Sequence, residues 1–197
     1  MSRLAAVLIA LVVLPLAGCQ KRPGEHVELP VPHIPQETLL CVPTSAAMVL
    51  AYYGDPRAPR SLKALSRGKA YDPNGPFDDF TITYYADMRK GLANIGYAWS
   101  DKSFPDTPQG FADGLKVIQG ELRQGRPVLV DISHDGVGHT VVVRGFDEGQ
   151  RRLLFVDPAQ PAPGAVSTSY DQFETLWNEH AYGGQFRALM RTARKMV

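Results

Sequence analysis

The spacing of apolar residues changes near residue 125, and this change constrains the fold more than any other feature of the chain. Between residues 108 and 124, apolar residues recur at intervals of three and four, as on one side of an α-helix. After residue 125 the apolar runs are compact and are separated by short turns containing Gly and Asp, as expected for strands. These runs are VLVDI (128–132), HTVVVRGF (139–146) and RRLLFVD (151–157). Helices followed by neighbouring strands favour an α+β fold with an antiparallel sheet over an alternating α/β fold.

Most of the predicted helices precede this sheet. The helix at 43–53 has Pro43 in its first turn and Gly54 as its stop signal. Its residues are apolar on every side, which predicts that the helix is buried. The other helices and a last strand are predicted at 61–67, 83–94, 170–177 and 186–190.

The N-terminus carries a pattern typical of bacterial export. Arg3 precedes an apolar run from Leu4 to Ala17, which is shorter than the roughly 20 residues needed to span a bilayer. The run matches the apolar core of a secretory signal. The segment LAGC (16–19) that follows resembles a lipobox, whose cysteine carries lipid in the mature protein; an ordinary signal with an incidental cysteine is the alternative.

The lipobox resemblance implies a division of the chain and a location. Residues 1–18 are interpreted as a lipoprotein signal peptide, residues 19–30 as a lipid anchor and tether attached through Cys19, and residues 31–197 as one domain. Gln20, directly after the anchor, favours the bacterial outer membrane, with the domain facing the periplasm.

Composition narrows the classes of partner. The chain has 21 basic and 20 acidic residues, so nothing in its net charge favours nucleic acid. His134 and His139 lie five residues apart, but no further ligand stands at helical or hairpin spacing, so no metal or other cofactor is predicted. If Cys19 carries lipid, Cys41 cannot form an intramolecular disulfide, and a lone thiol in an oxidising compartment is then either buried or chemically useful.

Cys41 stands where a thiol can be activated. It lies at the start of the predicted buried helix, where free amide hydrogens and the helix dipole favour a thiolate. The alternative is that Cys41 is a small apolar residue of the core. His139 opens a predicted strand, and its near-neutral pKa suits it to exchange a proton with the thiol.

Two more residues complete a candidate catalytic set. Asp157 ends the strand that follows the His139 strand, and it could hold the imidazole in one orientation. Asp131 is a rival for this role. Gln36, five residues before Cys41, could donate a hydrogen bond to a developing oxyanion.

Three motifs together resemble one family. Q-x4-C-x-P-x-S-A-A-M (36–48), G-H-T-V-V-V-x-G-F-D (138–147) and V-D-P (156–158) resemble the papain-like cysteine peptidases of the bacteriocin-leader-processing, or double-glycine, type, including its stand-alone relatives. The resemblance runs from about residue 31 to residue 190. It implies a papain-like fold, in which the nucleophile helix packs on a C-terminal antiparallel sheet.

The same resemblance implies an activity. The chain would hydrolyse peptide bonds of a peptide or protein through an acyl-enzyme on Cys41, with His139 as the general base. Asp157 would orient His139, and Gln36 would contribute to the oxyanion hole.

The motifs depart from the family in two places. Val42 stands where the family usually has Gly, and Gln36 is one position closer to the cysteine than in the commonest spacing. These departures leave open a catalytically inactive binding module with a papain-like frame. A peptidoglycan amidase or endopeptidase is a further alternative, although such enzymes typically carry Asp-Cys-Ser at the nucleophile, and CVPTS (41–45) lacks that motif.

Overall fold

A computed structural model describes residues 24–134 and 136–195. Seven strands form one sheet in the order β2-β7-β3-β4-β5-β6, with β1 paired to β4, and all pairs are antiparallel. The strands are β1 (His26–Glu28), β2 (Ser100–Pro105), β3 (Val128–His134), β4 (Val137–Asp147), β5 (Arg152–Val156), β6 (Ala165–Ser169) and β7 (Phe186–Arg191). The antiparallel sheet predicted from the apolar runs is therefore present, and the long strand β4 lies inside it.

The helices cover both faces of the sheet. They are α1 (Cys41–Tyr52), α2 (Pro59–Ser66), α3 (Tyr85–Ala93), α4 (Pro108–Arg123) and α5 (Tyr170–Leu176), followed by a 3₁₀ turn at His180–Tyr182. Residues of α1, α2 and α3 pack in one cluster with Leu129 and Val142, whereas those of α4 and α5 pack in a second cluster with Val128 and Val141. Because both faces of β3 and β4 are covered, these strands have nearly continuous apolar runs.

Helix α1 is buried, as its apolar composition predicted. Every residue from Val42 to Leu50 is buried. Pro43 lies in the first turn, where no backbone N–H is needed, and Gly54, with φ of 88°, follows the end of the helix. The helix begins at Cys41, two residues earlier than predicted, so the thiol belongs to the first turn itself.

An aromatic cluster fills the space between the sheet and α4 and α5. Trp177 is fully buried and stacks on Phe173, with 5.1 Å between ring centroids and 12° between ring planes. Its rim also contacts Phe104 and Phe111, at centroid distances of 5.9 and 6.3 Å. The indole N–H donates to the Ala188 carbonyl at 2.7 Å, which satisfies the only polar atom of the side chain.

Three strands were not predicted, and one of them corrects a boundary. Residues 26–28 were assigned to the tether, yet they form β1, in which Val27 lies opposite Phe146 of β4. The prediction of a tether up to residue 30 is therefore wrong for this segment. Strands β2 and β6 each bury a single side chain, and such polar outer strands carry little hydrophobic signal.

The predicted signal peptide and Cys19 lie outside the described residues. Within residues 24–134 and 136–195, no helix has the length and apolar character required to cross a membrane.

Candidate active site

Helix α1 and strand β4 bring Cys41 and His139 together. The Ser45 hydroxyl, one turn into α1, donates to the Thr140 carbonyl of β4 at 3.1 Å, and both residues are buried. The Cys41 thiol lies close enough to the Thr140 backbone and the His139 ring for both to lower its pKa. The contact between helix and strand thus holds the first turn of α1 against the start of β4.

Asp157 lies on the other side of the His139 ring. Its Oδ1 atom is 2.7 Å from His139 Nε2, and the two side chains are 13% and 18% exposed. The same carboxylate oxygen accepts the Ala159 N–H at 2.8 Å, and the Asp157 N–H donates to the Gly164 carbonyl at 2.8 Å. These bonds fix the carboxylate on the turn after β5, and Nδ1 is the ring nitrogen left for the thiol.

The three side chains shift one another's pKa towards the charged forms. Burial would raise the pKa of the Cys41 thiol, but the hydrogen bond and charge of His139, together with the Thr140 backbone, outweigh burial and lower it. Burial would lower the pKa of His139, but the bond to Asp157 and the contact with Cys41 raise it to about 9. Burial would raise the pKa of Asp157, and the His139 bond lowers it overall. Compared with an isolated thiol and imidazole, the arrangement therefore favours a thiolate on Cys41 and an imidazolium on His139.

Gln36 lies beside the turn that holds Asp157. Its backbone N–H donates to the Pro158 carbonyl at 2.9 Å. Its side chain is partly buried, and Oε1 is buried without a hydrogen-bond partner among the residues that the structure describes. The structure thus brings Gln36 to the His139–Asp157 side of the site, with its amide not committed to a structural bond through that oxygen.

Comparison with protein families identifies the chain. A model described as "Peptidase_C39 like family" matches residues 28–185. The chain belongs to this family. It is therefore a cysteine peptidase, and the match spans the first turn of α1, β4 and the turn after β5. Among curated proteins, no sequence matched the chain.

Solved structures with the same fold include two peptidase domains of transporters. The peptidase domain of Streptococcus ComA, a bi-functional ABC transporter involved in a quorum sensing pathway, has a TM-score of 0.55 and 18% sequence identity, covering 84% of this chain and 99% of that one. A double glycine motif protease from an AMS/PCAT transporter, solved in complex with a leader peptide, has a TM-score of 0.52 and 21% identity, covering 85% and 95%. At these identities the likeness concerns the fold, and it confirms the predicted papain-like α+β architecture.

In this C39-like peptidase, Asp131 does not take the place of Asp157. The Thr140 hydroxyl, on the opposite strand, donates to Asp131 Oδ1, and Asp131 is half-buried. Burial raises the pKa of Asp131, although the Thr140 bond opposes the shift. Asp131 thus belongs to a second group of polar residues, which lines a cavity together with Val42.

Glu179 and Tyr182 lie near the site but were not predicted from the sequence. Glu179 is 7% exposed, and burial together with the charge of Asp131 raises its pKa to about 8. Tyr182 packs against Gly138, where an added Cβ would lie 2.3 Å from the tyrosine ring. Both residues lie after α5 in a segment without regular periodicity, so no pattern in the sequence indicated them.

Val42, which replaces the usual glycine, is buried and lines a cavity next to the site. Its side chain therefore forms part of the wall of that cavity. Across residues 24–134 and 136–195, no cluster of three or more His, Cys, Asp or Glu side chains has the arrangement of a metal site.

Proposed function

We propose that this C39-like peptidase hydrolyses peptide bonds through an acyl-enzyme on Cys41. The Cys41 thiolate attacks the peptide carbonyl carbon and forms a C–S bond, and the carbonyl electrons move to the oxygen. The His139 imidazolium then gives its proton to the leaving nitrogen as the C–N bond breaks, which releases an amine and leaves a thioester. Neutral His139 next takes a proton from water as the water oxygen attacks the thioester, and the acid product and the thiolate are released.

One observation carries the proposal. The 2.7 Å contact between Asp157 Oδ1 and His139 Nε2 supports a ring orientation in which the other nitrogen would exchange a proton with the thiol. A nucleophile, a base and a group that orients the base are the parts that this chemistry requires.

The oxyanion would be stabilised at the start of α1. The first N–H groups of a helix have no intrahelical partner, and Cys41 is the first residue of α1. The Gln36 amide would supply the second donor, since its backbone is held beside Asp157. A peptide or protein substrate is supported by the family and by the leader peptide bound to one structural neighbour.

The pH dependence of alkylation tests the activated thiol. An isolated cysteine, with a pKa of about 8.5, reacts with iodoacetamide mainly above that pH. For residues 20–197, in which Cys41 is the only cysteine, we expect the reaction rate to remain near its plateau well below pH 8. A second change in the alkylation rate is expected near pH 9, where the His139 imidazolium loses its proton.

Asp157→Asn is the matched variant for this measurement. Without the carboxylate charge, the pKa of His139 falls and that of Cys41 rises. The pH range between these two pKa values, over which the thiolate and the imidazolium coexist, therefore becomes narrower. A wild-type Cys41 that reacts only above about pH 8 would contradict the proposed activation.

We propose further that Cys19 is lipidated and holds the domain at the bacterial cell envelope, on the outer membrane facing the periplasm. The support is the LAGC segment after a short apolar run. Metabolic labelling with an alkyne fatty acid should label the wild-type chain and Cys41→Ala, but not Cys19→Ala, and the unlabelled variant should leave the membrane fraction. An unlabelled wild-type chain, or a labelled Cys19→Ala chain, would overturn this assignment.

A further inference from the structure

A cavity of about 370 Å³ lies directly beside the proposed catalytic pair. Val42, the residue after Cys41, forms one wall, and Thr140, the residue after His139, forms another. The remaining walls come from the start of α3 and the segment before it, from β2 and β3, and from the chain that runs from the end of α5 into β7. Any group that fills this cavity is therefore close to a peptide bond held at Cys41.

The polar lining of the cavity includes several acceptor groups. Asp131 and Glu179 both line it. Glu179 is 7% exposed, and its Oε1 is buried with no hydrogen-bond partner among residues 24–134 and 136–195. Tyr85 is 9% exposed, and its hydroxyl oxygen is likewise buried without a hydrogen-bond partner among the described residues. The Asp131 carboxyl group lies close to both Glu179 and Tyr85. Buried polar atoms are nearly always paired, so this group of oxygens is suited to a donor that a ligand brings.

Aromatic rings form the sides of the cavity. Tyr84, Tyr85, Tyr182 and Phe186 line it, and Tyr84, Tyr182 and Phe186 are also partly exposed to solvent. Rings of this kind attract a cation placed over their faces, and the attraction grows when the cation is desolvated. A cavity lined by both hydrogen-bond acceptors and aromatic rings suits a group that is cationic at one end and apolar along the rest.

The positively charged groups near the cavity do not neutralise Asp131 and Glu179. Lys102 lines the cavity but is exposed to solvent, and its ammonium group lies over the Phe104 ring, 5.0 Å from the centroid. Lys63 lies behind Thr83, where its ammonium group donates to Thr81 and Thr83 and pairs with Asp79. On the side of the catalytic pair, the His139 imidazolium faces Asp131, but its closest partner is Asp157.

We propose that this cavity is a substrate subsite for a cationic side chain, the ammonium of Lys or the guanidinium of Arg, on a residue next to the scissile bond. The proposal rests on the peptidase activity proposed above and names the class of substrate. Glu179 and Asp131 provide the opposite charge, the Tyr85 hydroxyl oxygen accepts a further hydrogen bond, and Tyr182 and Phe186 pack on the aliphatic part of the side chain.

The titration of the acidic pair agrees with this assignment. Burial and the charge of Asp131 raise the pKa of Glu179 to about 8. In the empty cavity the pair therefore keeps a proton at neutral pH. A bound cation replaces that proton and allows both carboxylates to be charged.

Arginine and citrulline peptides provide the test, because citrulline keeps the shape of arginine and lacks its charge. The peptides are acetylated at the N-terminus, and each position near the scissile bond carries Arg or citrulline in turn. At one of these positions we expect kcat/KM to be at least about tenfold higher for Arg, as for other charge-assisted contacts in a partly buried site. In Glu179→Gln the ratio should fall towards one, whereas Glu148→Gln, which removes an exposed charge paired with Arg123, should keep it.

The outcomes separate this proposal from the proposed activity. A ratio near one at every position of the wild-type enzyme, or an unchanged ratio in Glu179→Gln, overturns the cationic subsite and leaves the peptidase intact. Faster cleavage of unacetylated peptides that lack Arg and Lys would assign the cavity to an N-terminal ammonium and overturn the side-chain assignment. Absence of cleavage overturns the proposed activity.

A binding measurement decides the subsite in that last case. With Cys41→Ala, isothermal titration should show tighter binding of an arginine peptide than of its citrulline counterpart, and Glu179→Gln in the same background should remove the difference. Equal affinities for the two peptides would overturn the subsite. Thermal melting of Glu179→Gln, an isosteric change, identifies any loss caused by misfolding.

Discussion

Cys41→Ala is expected to reduce kcat for peptide hydrolysis by about 10⁴-fold or more, to the background rate. Alanine cannot form the acyl intermediate, and the other groups act on that intermediate, so nothing in the site replaces the sulfur. His139→Ala should cause a loss of similar size, because residues that act as one unit are not additive. Initial rates on an internally quenched peptide, with active-site titration, measure both effects.

Two controls distinguish a loss of catalysis in Cys41→Ala from a loss of folding or a nonspecific effect of substitution. The melting temperature of Cys41→Ala should stay close to that of the wild-type chain, because the substitution removes only the sulfur from a residue that is incompletely buried. His26→Ala removes an imidazole that is 51% exposed on β1, and it should retain full activity. Hydrolysis that persists in Cys41→Ala would exclude Cys41 as the nucleophile.

Trp177→Ala is expected to lower the free energy of unfolding by about 3–5 kcal/mol. The substitution removes a fully buried indole that contacts Phe104, Phe111 and Phe173, and the cavity left behind cannot collapse because α4 and the sheet hold its walls apart. It also removes the donor to the Ala188 carbonyl. Urea denaturation followed by circular dichroism measures the change.

Phe80→Ala is the matched aromatic control. Phe80 is 37% exposed and contacts Phe77 edge-on, so its truncation should cost less than about 1 kcal/mol. If Trp177→Ala lowers the free energy of unfolding as little as Phe80→Ala does, the aromatic cluster does not contribute strongly to stability on the side of the sheet that α4 and α5 cover.

The elements that the sequence predicted well are those buried on one or both faces. Helix α4 lies at Pro108–Arg123, against a prediction of 108–124, because its apolar residues recur at helical spacing. Strand β4 was predicted because its core side chains are apolar in succession. By contrast, β1 shows one partly buried side chain and is held by backbone pairing with β4, a contact that no local pattern encodes.

The site divides in the same way. Cys41, His139 and Asp157 each stand at the end of a predictable element, so their meeting follows from the order of helix and strands together with the family motifs. Gln36 also comes to this region, although its role remains a proposal. Glu179 and Tyr182 lie in an irregular segment, and only tertiary packing places them by the cavity; no residue pattern in the sequence indicated them.

The position of β1 has a consequence for where the chain can be shortened. Glu25 binds Arg123 of α4 with both carboxylate oxygens, and Val27 pairs with Phe146. A version starting at Val31 would lose the Glu25–Arg123 ion pair and strand β1, and backbone groups of residues 145–147 would have no partners on that side. Unpaired strand backbone invites pairing with another molecule, so such a truncated protein would be prone to aggregate, whereas one starting at Gly24 would keep the strand covered.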